Sequence, residues 1–116
     1  MLPKEYRLLR KKDFQLVFKK GKSLKEGGFI LNFLELDQKD DLKIGFIVST
    51  KVHKKATRRN RLKRRMREVI RKNLPKIKRG YFLVFVTLPQ AIQYDFSTIE
   101  KELLVLLNKA GVIDEE

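Results

Sequence analysis

From Lys51 to Arg79 the chain holds fifteen of its 28 Lys and Arg residues against one acid, Glu68. Within the same run Leu62, Met66, Val69 and Ile70 recur at helical spacing until Pro75 forbids continuation. A helix from about Thr57 to Asn73 therefore has to bury one narrow stripe while holding a dense positive charge in solvent. The rest of the chain carries thirteen bases and thirteen acids, so the whole net charge of +14 belongs to this segment. Any fold must give the stripe an apolar surface to lie on, and the charge calls for a polyanionic partner. At about 100° per residue, Asn60, Arg64, Arg67 and Arg71 line up opposite Leu62, Met66 and Val69. An ordinary solvated face interleaves Glu with Lys, whereas these arginines repel one another by roughly tenths of a kcal/mol per pair.

Guanidinium forks match phosphate oxygens two at a time, and Arg59-Asn60-Arg61-Leu62-Lys63-Arg64-Arg65-Met66-Arg67 is dense in them. This favours nucleic acid over a small acidic ligand. Membrane surfaces and calmodulin-type partners also select basic amphipathic helices, but they need large exposed apolar residues, and the stripe here is claimed by the core. In a DNA major groove the outward row would offer one amide, Asn60, for reading bases, so the surface suits backbone. Just upstream, Lys51-Val52-His53-Lys54-Lys55 leads into the helix N-terminus, where free backbone N–H groups favour phosphate. The lone His53 lacks the second group that metal-free nuclease chemistry needs, and reads as a spectator. Asp40 and Asp41 read as turn residues rather than cation ligands. No protein-borne catalytic group or metal site emerges.

The 116 residues are expected to form one domain, 1–116, and 42% apolar content is enough to fold it. Cysteine is absent, which agrees with a reducing cytosol. The segment Met1-Leu2-Pro3-Lys4-Glu5-Tyr6-Arg7 has no apolar core of signal-peptide length, and no stretch approaches the roughly 20 apolar residues of a membrane span. A cytoplasmic protein with no membrane partner is expected. Asp13 to Lys20 reads as a short helix ended by Gly21, with Phe14, Val17 and Phe18 at i, i+3, i+4 and Leu16 on the other side. Phe29–Leu36 and Ile44–Thr50 read as strands joined in a hairpin by Asp37-Gln38-Lys39-Asp40-Asp41. Tyr81 to Val86 reads as a central strand covered on both faces. Ser97-Thr98-Ile99-Glu100 reads as a capping box opening a last helix that ends at Gly111, followed by a loose tail, Asp114-Glu115-Glu116. The order describes an α+β sandwich.

Phe14 and Phe18 serve equally as core or as a stacking surface, since Lys11, Lys12, Lys19, Lys20 and Lys22 surround them and aromatics among lysines grip single strands. Arg79-Gly80-Tyr81-Phe82-Leu83-Val84-Phe85-Val86 begins like an RNP1 signature, but Phe82 and Leu83 stand where a small residue and an aromatic belong; it reads as a core strand.

The run Arg59-Asn60-Arg61-Leu62-Lys63-Arg64, preceded by Ile47-Val48-Ser49-Thr50-Lys51-Val52, closely resembles the signature of the bacterial ribonuclease P protein subunit family. Pro3-Lys4-Glu5-Tyr6-Arg7-Leu8 and Asp13-Phe14-Gln15-Leu16-Val17-Phe18-Lys19-Lys20-Gly21 are similar to that family's N-terminal segment, so the resemblance spans nearly the whole chain. It implies a two-layer α/β sandwich with a small central sheet and a left-handed β-α-β crossover, of the ribosomal protein S5 domain 2-like type. The implied role is that of the protein subunit of a ribonucleoprotein. Its RNA performs Mg²⁺-dependent hydrolysis that removes the 5′ leader of precursor tRNA, and the protein carries no catalytic group. The implied partners are ribonuclease P RNA and precursor tRNA, with Mg²⁺ held mainly by the RNA. By position, Arg59, Asn60, Arg61, Lys63 and Arg64 match the motif that faces the RNA, with Lys51 before it. Lys54, Lys55, Arg58, Arg67 and Arg71 extend that surface by charge and helix geometry. Phe14 and Phe18 match aromatics of the leader-binding cleft, to which Lys22 and Asn32 are added. Two departures stand out: Thr50 where the family commonly has Lys, and Asn32 where some members carry an aromatic. The rival function is a ribosomal or general RNA-binding protein with no part in processing.

Overall fold

The computed structural model describes residues 2–113. Three helices, α1 (Lys11–Lys20), α2 (Ala56–Asn73) and α3 (Phe96–Ala110), pack on one sheet of β1 (Lys22–Glu26), β2 (Phe29–Glu35), β3 (Leu42–Ile47) and β4 (Tyr81–Thr87). The sheet order is β1-β2-β4-β3; β2 is antiparallel to both β1 and β4, and β3 is parallel to β4. This α+β arrangement agrees with the sandwich expected. The tail Asp114–Glu116 lies outside the described residues.

The hairpin expected between the strands at Phe29 and Ile44 does not form, because β4 lies between them. The physical reason is in β4 itself: Leu83, Val84 and Phe85 have no exposed surface, so this strand needs neighbours on both edges and cover on both faces. Pairing Leu42 with Tyr81 also starts β3 two residues earlier than expected and ends it at Ile47. The link between the parallel neighbours β3 and β4 is α2, a β-α-β crossover that lays the helix against the sheet. Strand β1 was not foreseen. Lys22-Ser23-Leu24-Lys25-Glu26 has one apolar residue and sits at the sheet edge, where charges discourage pairing with another chain. Its turn uses Gly27 at φ 56°, and Glu102 of α3 fastens it by accepting from the Gly28 N–H at 2.9 Å.

Alternation along the strands separates two cores. Leu31, Ile44, Leu83 and Phe85 face α2 and α3, where they pack with Leu62, Met66, Val69, Ile70, Ile99, Leu103, Leu106 and Leu107. Val84 faces the other way, toward Val17 of α1 and Leu8 of the N-terminal arm, with Phe14, Leu34, Ile47, Phe82 and Val86 half-buried around them. The arm joins β3's free edge: the Leu8 N–H donates to the Ile44 carbonyl at 2.9 Å, and Arg7 bridges Ile44. The capping box read at Ser97 is misplaced by two residues. Asp95 caps α3, accepting from the Thr98 N–H at 2.9 Å, which holds its carboxyl below the usual carboxylate range. Gly111 closes that helix at φ 73°, a left-handed position suited to glycine.

Candidate nucleic-acid interface

Helix α2 is anchored by Leu62, Met66, Val69 and Ile70, all buried, and this fixes which residues look outward. Asn60, Arg64 and Arg71 are exposed and Arg67 is half-buried. Thr57, Asn60, Lys63, Arg64 and Arg67 line a shallow groove of about 490 Å³. Burial in this groove, with Arg67 and then Arg59 nearby, pushes the Lys63 ammonium below its ordinary range. Arg67 is pushed down by burial and by Arg7 of the N-terminal arm. Both directions mean that the charged forms are held at a cost that an anion in the groove would offset.

The row is not uniform. Arg71 is engaged by Glu68 one turn back, its Nε and Nη2 donating to the two carboxylate oxygens at 2.9 and 2.6 Å. The pair holds Glu68 down at about 2 and raises Arg71. Arg59 donates through Nη1 to the carbonyls of His53 and Lys54, both at 2.8 Å, and so ties the loop before α2 to the helix. In that loop the His53 Nδ1 accepts from the Lys55 N–H at 3.0 Å. Lys55 is the N-cap but provides no side-chain cap, and the first turn contains no acid. The first N–H groups of α2 thus stay open beside exposed Lys51, Lys54 and Lys55. Arg58 and Arg61 are exposed but turned away from the outward row; with Arg65 they line a separate cavity against the segment Ile92-Gln93-Tyr94-Asp95.

Basic charge continues from α2 round the β3 edge. Arg7, which is near enough to Arg67 to depress it, lines a hollow of about 460 Å³ with Lys4, Arg10 and Lys43. Asp13 and Asp41 also line it. This extension was not read from the sequence, because its residues come together only when the arm pairs with β3. Asp41 closes the turn before β3, its N–H donating to the Gln38 carbonyl at 3.3 Å, and its own carbonyl accepts from the Gly80 and Tyr81 N–H groups.

On the other sheet face α1 buries only Val17, yet its Phe14 and Phe18 differ in environment. Phe14 lies on Gly45, where any Cβ would meet its ring at 2.5 Å. Phe18 is 47% exposed. Register places Ser23, Asn32, Val84 and Gly45 in one row across this face, and Lys25, Ile30, Val86 and Ile47 in the next. Asn32, Ile30, Val86 and Ile47 are all partly exposed, so an apolar floor with one amide runs beside the two rings. Lys22 is not brought to this floor: it pairs with Phe33, whose side chain faces the α3 core, and the β1 lysine on Asn32's face is Lys25. Thr50 is exposed in the turn after β3. Among the described residues no three His, Asp or Glu gather in a way that would hold a metal ion, and no helix is long and apolar enough to cross a membrane.

A small α+β domain with a basic crossover helix on one face of its sheet and half-open aromatic surface on the other is the class that this geometry defines. The ribonuclease P family profile matches residues 2–111, and the chain belongs to the ribonuclease P protein family. It is 42% identical over 113 residues to the ribonuclease P protein component of Synechocystis sp., covering 97% of this chain and 91% of that one. It is 39% identical to the Microcystis aeruginosa component, covering 97% and 96%. Among solved structures it is similar to the RNase P protein of Staphylococcus aureus, at TM-score 0.87 and 27% identity over 96% of this chain and 100% of that one. The Thermotoga maritima RNase P protein matches at TM-score 0.79 and 36% identity, covering 89% and 96%.

Proposed function

We propose that this chain is the protein subunit of a ribonuclease P ribonucleoprotein, docking on the catalytic RNA through α2 and on the 5′ leader of precursor tRNA through the face beside α1. The observation that carries the reading is the separation of two unlike surfaces on the two sides of one sheet. Asn60, Lys63, Arg64 and Arg67 form a groove in which burial, and then neighbouring cations, push Lys63 and Arg67 below their ordinary ranges, and a phosphate backbone would relieve both. Phe14, Phe18, Ile30, Asn32, Ile47 and Val86 form a half-covered apolar floor suited to stacked, unpaired bases. Basic residues of the arm join the two faces round the β3 edge, which fits one continuous RNA substrate-and-scaffold surface.

In this reading the protein supplies binding and no catalytic group. Mg²⁺, held mainly by the RNA, would supply the activated water for phosphodiester hydrolysis. The chain's own residues neutralise phosphate at α2 and hold the leader extended at α1, which raises affinity for precursor over mature tRNA. The setting is the cytoplasm. The test is cleavage of precursor tRNA by a bacterial ribonuclease P RNA at low Mg²⁺, with and without the purified chain. Enhancement by the chain, with no cleavage by the chain alone, is expected. No enhancement would leave an RNA-binding protein without a processing role.

A further inference from the structure

The side of α2 away from the RNA groove has chemistry of its own. Relative to Leu62, helix geometry places Arg58, Arg61 and Arg65 on one flank, about 120° from the row of Asn60, Arg64, Arg67 and Arg71. That flank and the segment from Ile92 to Asp95 enclose a half-open cavity of about 460 Å³, with His53 also lining it. The volume lies within the roughly 300–1,000 Å³ of small-ligand sites. Leu62, Ile92 and Tyr94 make its apolar part, and the Arg65 Nη1 reaches the Tyr94 carbonyl at 3.4 Å across it. Arg58 and Arg61 have no hydrogen-bond or ion-pair partner among the described residues. Gln93 and Asp95 line it from the segment before α3; one Asp95 carboxylate oxygen caps that helix, and Arg65 is near enough to help hold the carboxyl below its usual range. The His53 Nδ1 is taken by the Lys55 N–H, so the proton of the neutral ring belongs on Nε2, which makes that nitrogen a donor.

A cavity with guanidinium donors along one wall, an apolar middle and an acceptor-only carboxylate on the other wall is not suited to a bare anion, which Asp95 would repel. It is suited to a ligand with a phosphate at one end and N–H donors at the other. We propose that this cavity is a second RNA site that takes a single unpaired nucleotide, its phosphate at Arg58 and Arg61 and its base edge at Asp95, with guanosine favoured over uridine. Guanine presents adjacent N1–H and N2–H donors that a carboxylate can accept together, whereas uracil flanks its one N–H with two carbonyls. The inference rests on the chain being an RNA-binding subunit, but it assigns Arg58 and Arg61 to a different contact from Arg64 and Arg67.

The test is a titration of the full chain with guanosine 5′-monophosphate, followed by amide and arginine side-chain NMR shifts, with guanosine and uridine 5′-monophosphate alongside. Saturable shifts at Gln93, Tyr94 and Asp95 are expected at millimolar nucleotide, with weaker binding of guanosine and of the uridine nucleotide. Arg58→Ala with Arg61→Ala weakens the guanosine nucleotide by about tenfold. Arg64→Ala with Arg67→Ala leaves this titration as it is and lowers affinity for ribonuclease P RNA, which separates the failure of this site from failure of the docking face. Asp95→Asn, which keeps an N-cap acceptor, weakens the guanosine nucleotide and not the uridine one. Shifts confined to the outward row, equal binding by the Arg58/Arg61 variant, or no saturable shift would each overturn the proposal.

Discussion

Helices α1 and α2 lie on opposite faces of one sheet and are both flanked by lysine and arginine, yet they are secured in opposite ways. Helix α2 commits four side chains to the main core, and its stripe is fully covered. Helix α1 buries Val17 alone and leaves Phe18 nearly half exposed. In the proposed reading, charge therefore has separate uses on the two helices. On α2 the core fixes the rotation of the helix, so its cations form an ordered row that can match regularly spaced phosphates. On α1 the core is incomplete, so aromatic surface remains open beside exposed lysines. In the same reading, backbone recognition and base stacking fall on different walls of a very small domain.

The largest effect is expected when the anchoring of α2 is removed. Met66→Ala, which empties a fully buried position against Thr87, should cost about 2–5 kcal/mol in denaturant unfolding and disorder the basic row with it. Next is the outward face: Arg64→Ala with Arg67→Ala should leave unfolding unchanged and lower affinity for ribonuclease P RNA. The log–log salt slope should fall by about 0.7–0.9 per lost contact. Equal affinity and slope would mean that phosphate is met elsewhere. On the other face, Gly45→Ala puts a methyl group into the Phe14 ring, with the Leu8 Cβ at 3.3 Å on the same side. The overpacking should cost about 1–3 kcal/mol, shift Phe14, and reduce discrimination between precursor and mature tRNA without changing the salt slope for RNA. The smallest effect is expected from Glu68→Gln. Releasing Arg71 should add up to one phosphate contact and steepen the salt slope by at most about 0.9. The folded-state pKa of Glu68 is depressed to about 2 from 4.5, so the stabilisation it gives is present at neutral pH and is lost as pH falls through that window. The Gln variant should show none of that loss in thermal melts.

Much of α2 could be read directly, because an apolar stripe of period 3.6 ending at a proline is a local signal, and the helix starts one residue from where it was expected. Central placement of β4 followed equally from its unbroken apolar run. Pairing is not local: whether β2 meets β3 or β4 depends on which strand must be buried on both edges, and a turn-like Asp37–Asp41 segment suggests a hairpin regardless. Strand β1 carries almost no apolar signal because an edge strand needs little. Asp95 was missed as the cap because Ser97 and Glu100 fit the same spacing two residues later. Register decided the site residues in the same way. The sequence could place Lys22 near Phe18, but only pairing with Phe33 shows that its side of β1 belongs to the α3 core. Arg58 and Arg61 share the basic run with Arg64, and only the packed orientation of α2 sends them to a different wall.

The division of labour between the two faces is tested most directly by the affinity of the reconstituted holoenzyme for precursor and for mature tRNA, measured with Phe18→Ala. Phe18 is nearly half exposed, so the variant should cost far less stability than truncation of a core residue, and unchanged affinity for ribonuclease P RNA confirms that the readout concerns the leader. Weaker binding of precursor tRNA alone, with ribonuclease P RNA still bound as tightly, is the predicted result. Equal losses on precursor and mature tRNA would contradict it.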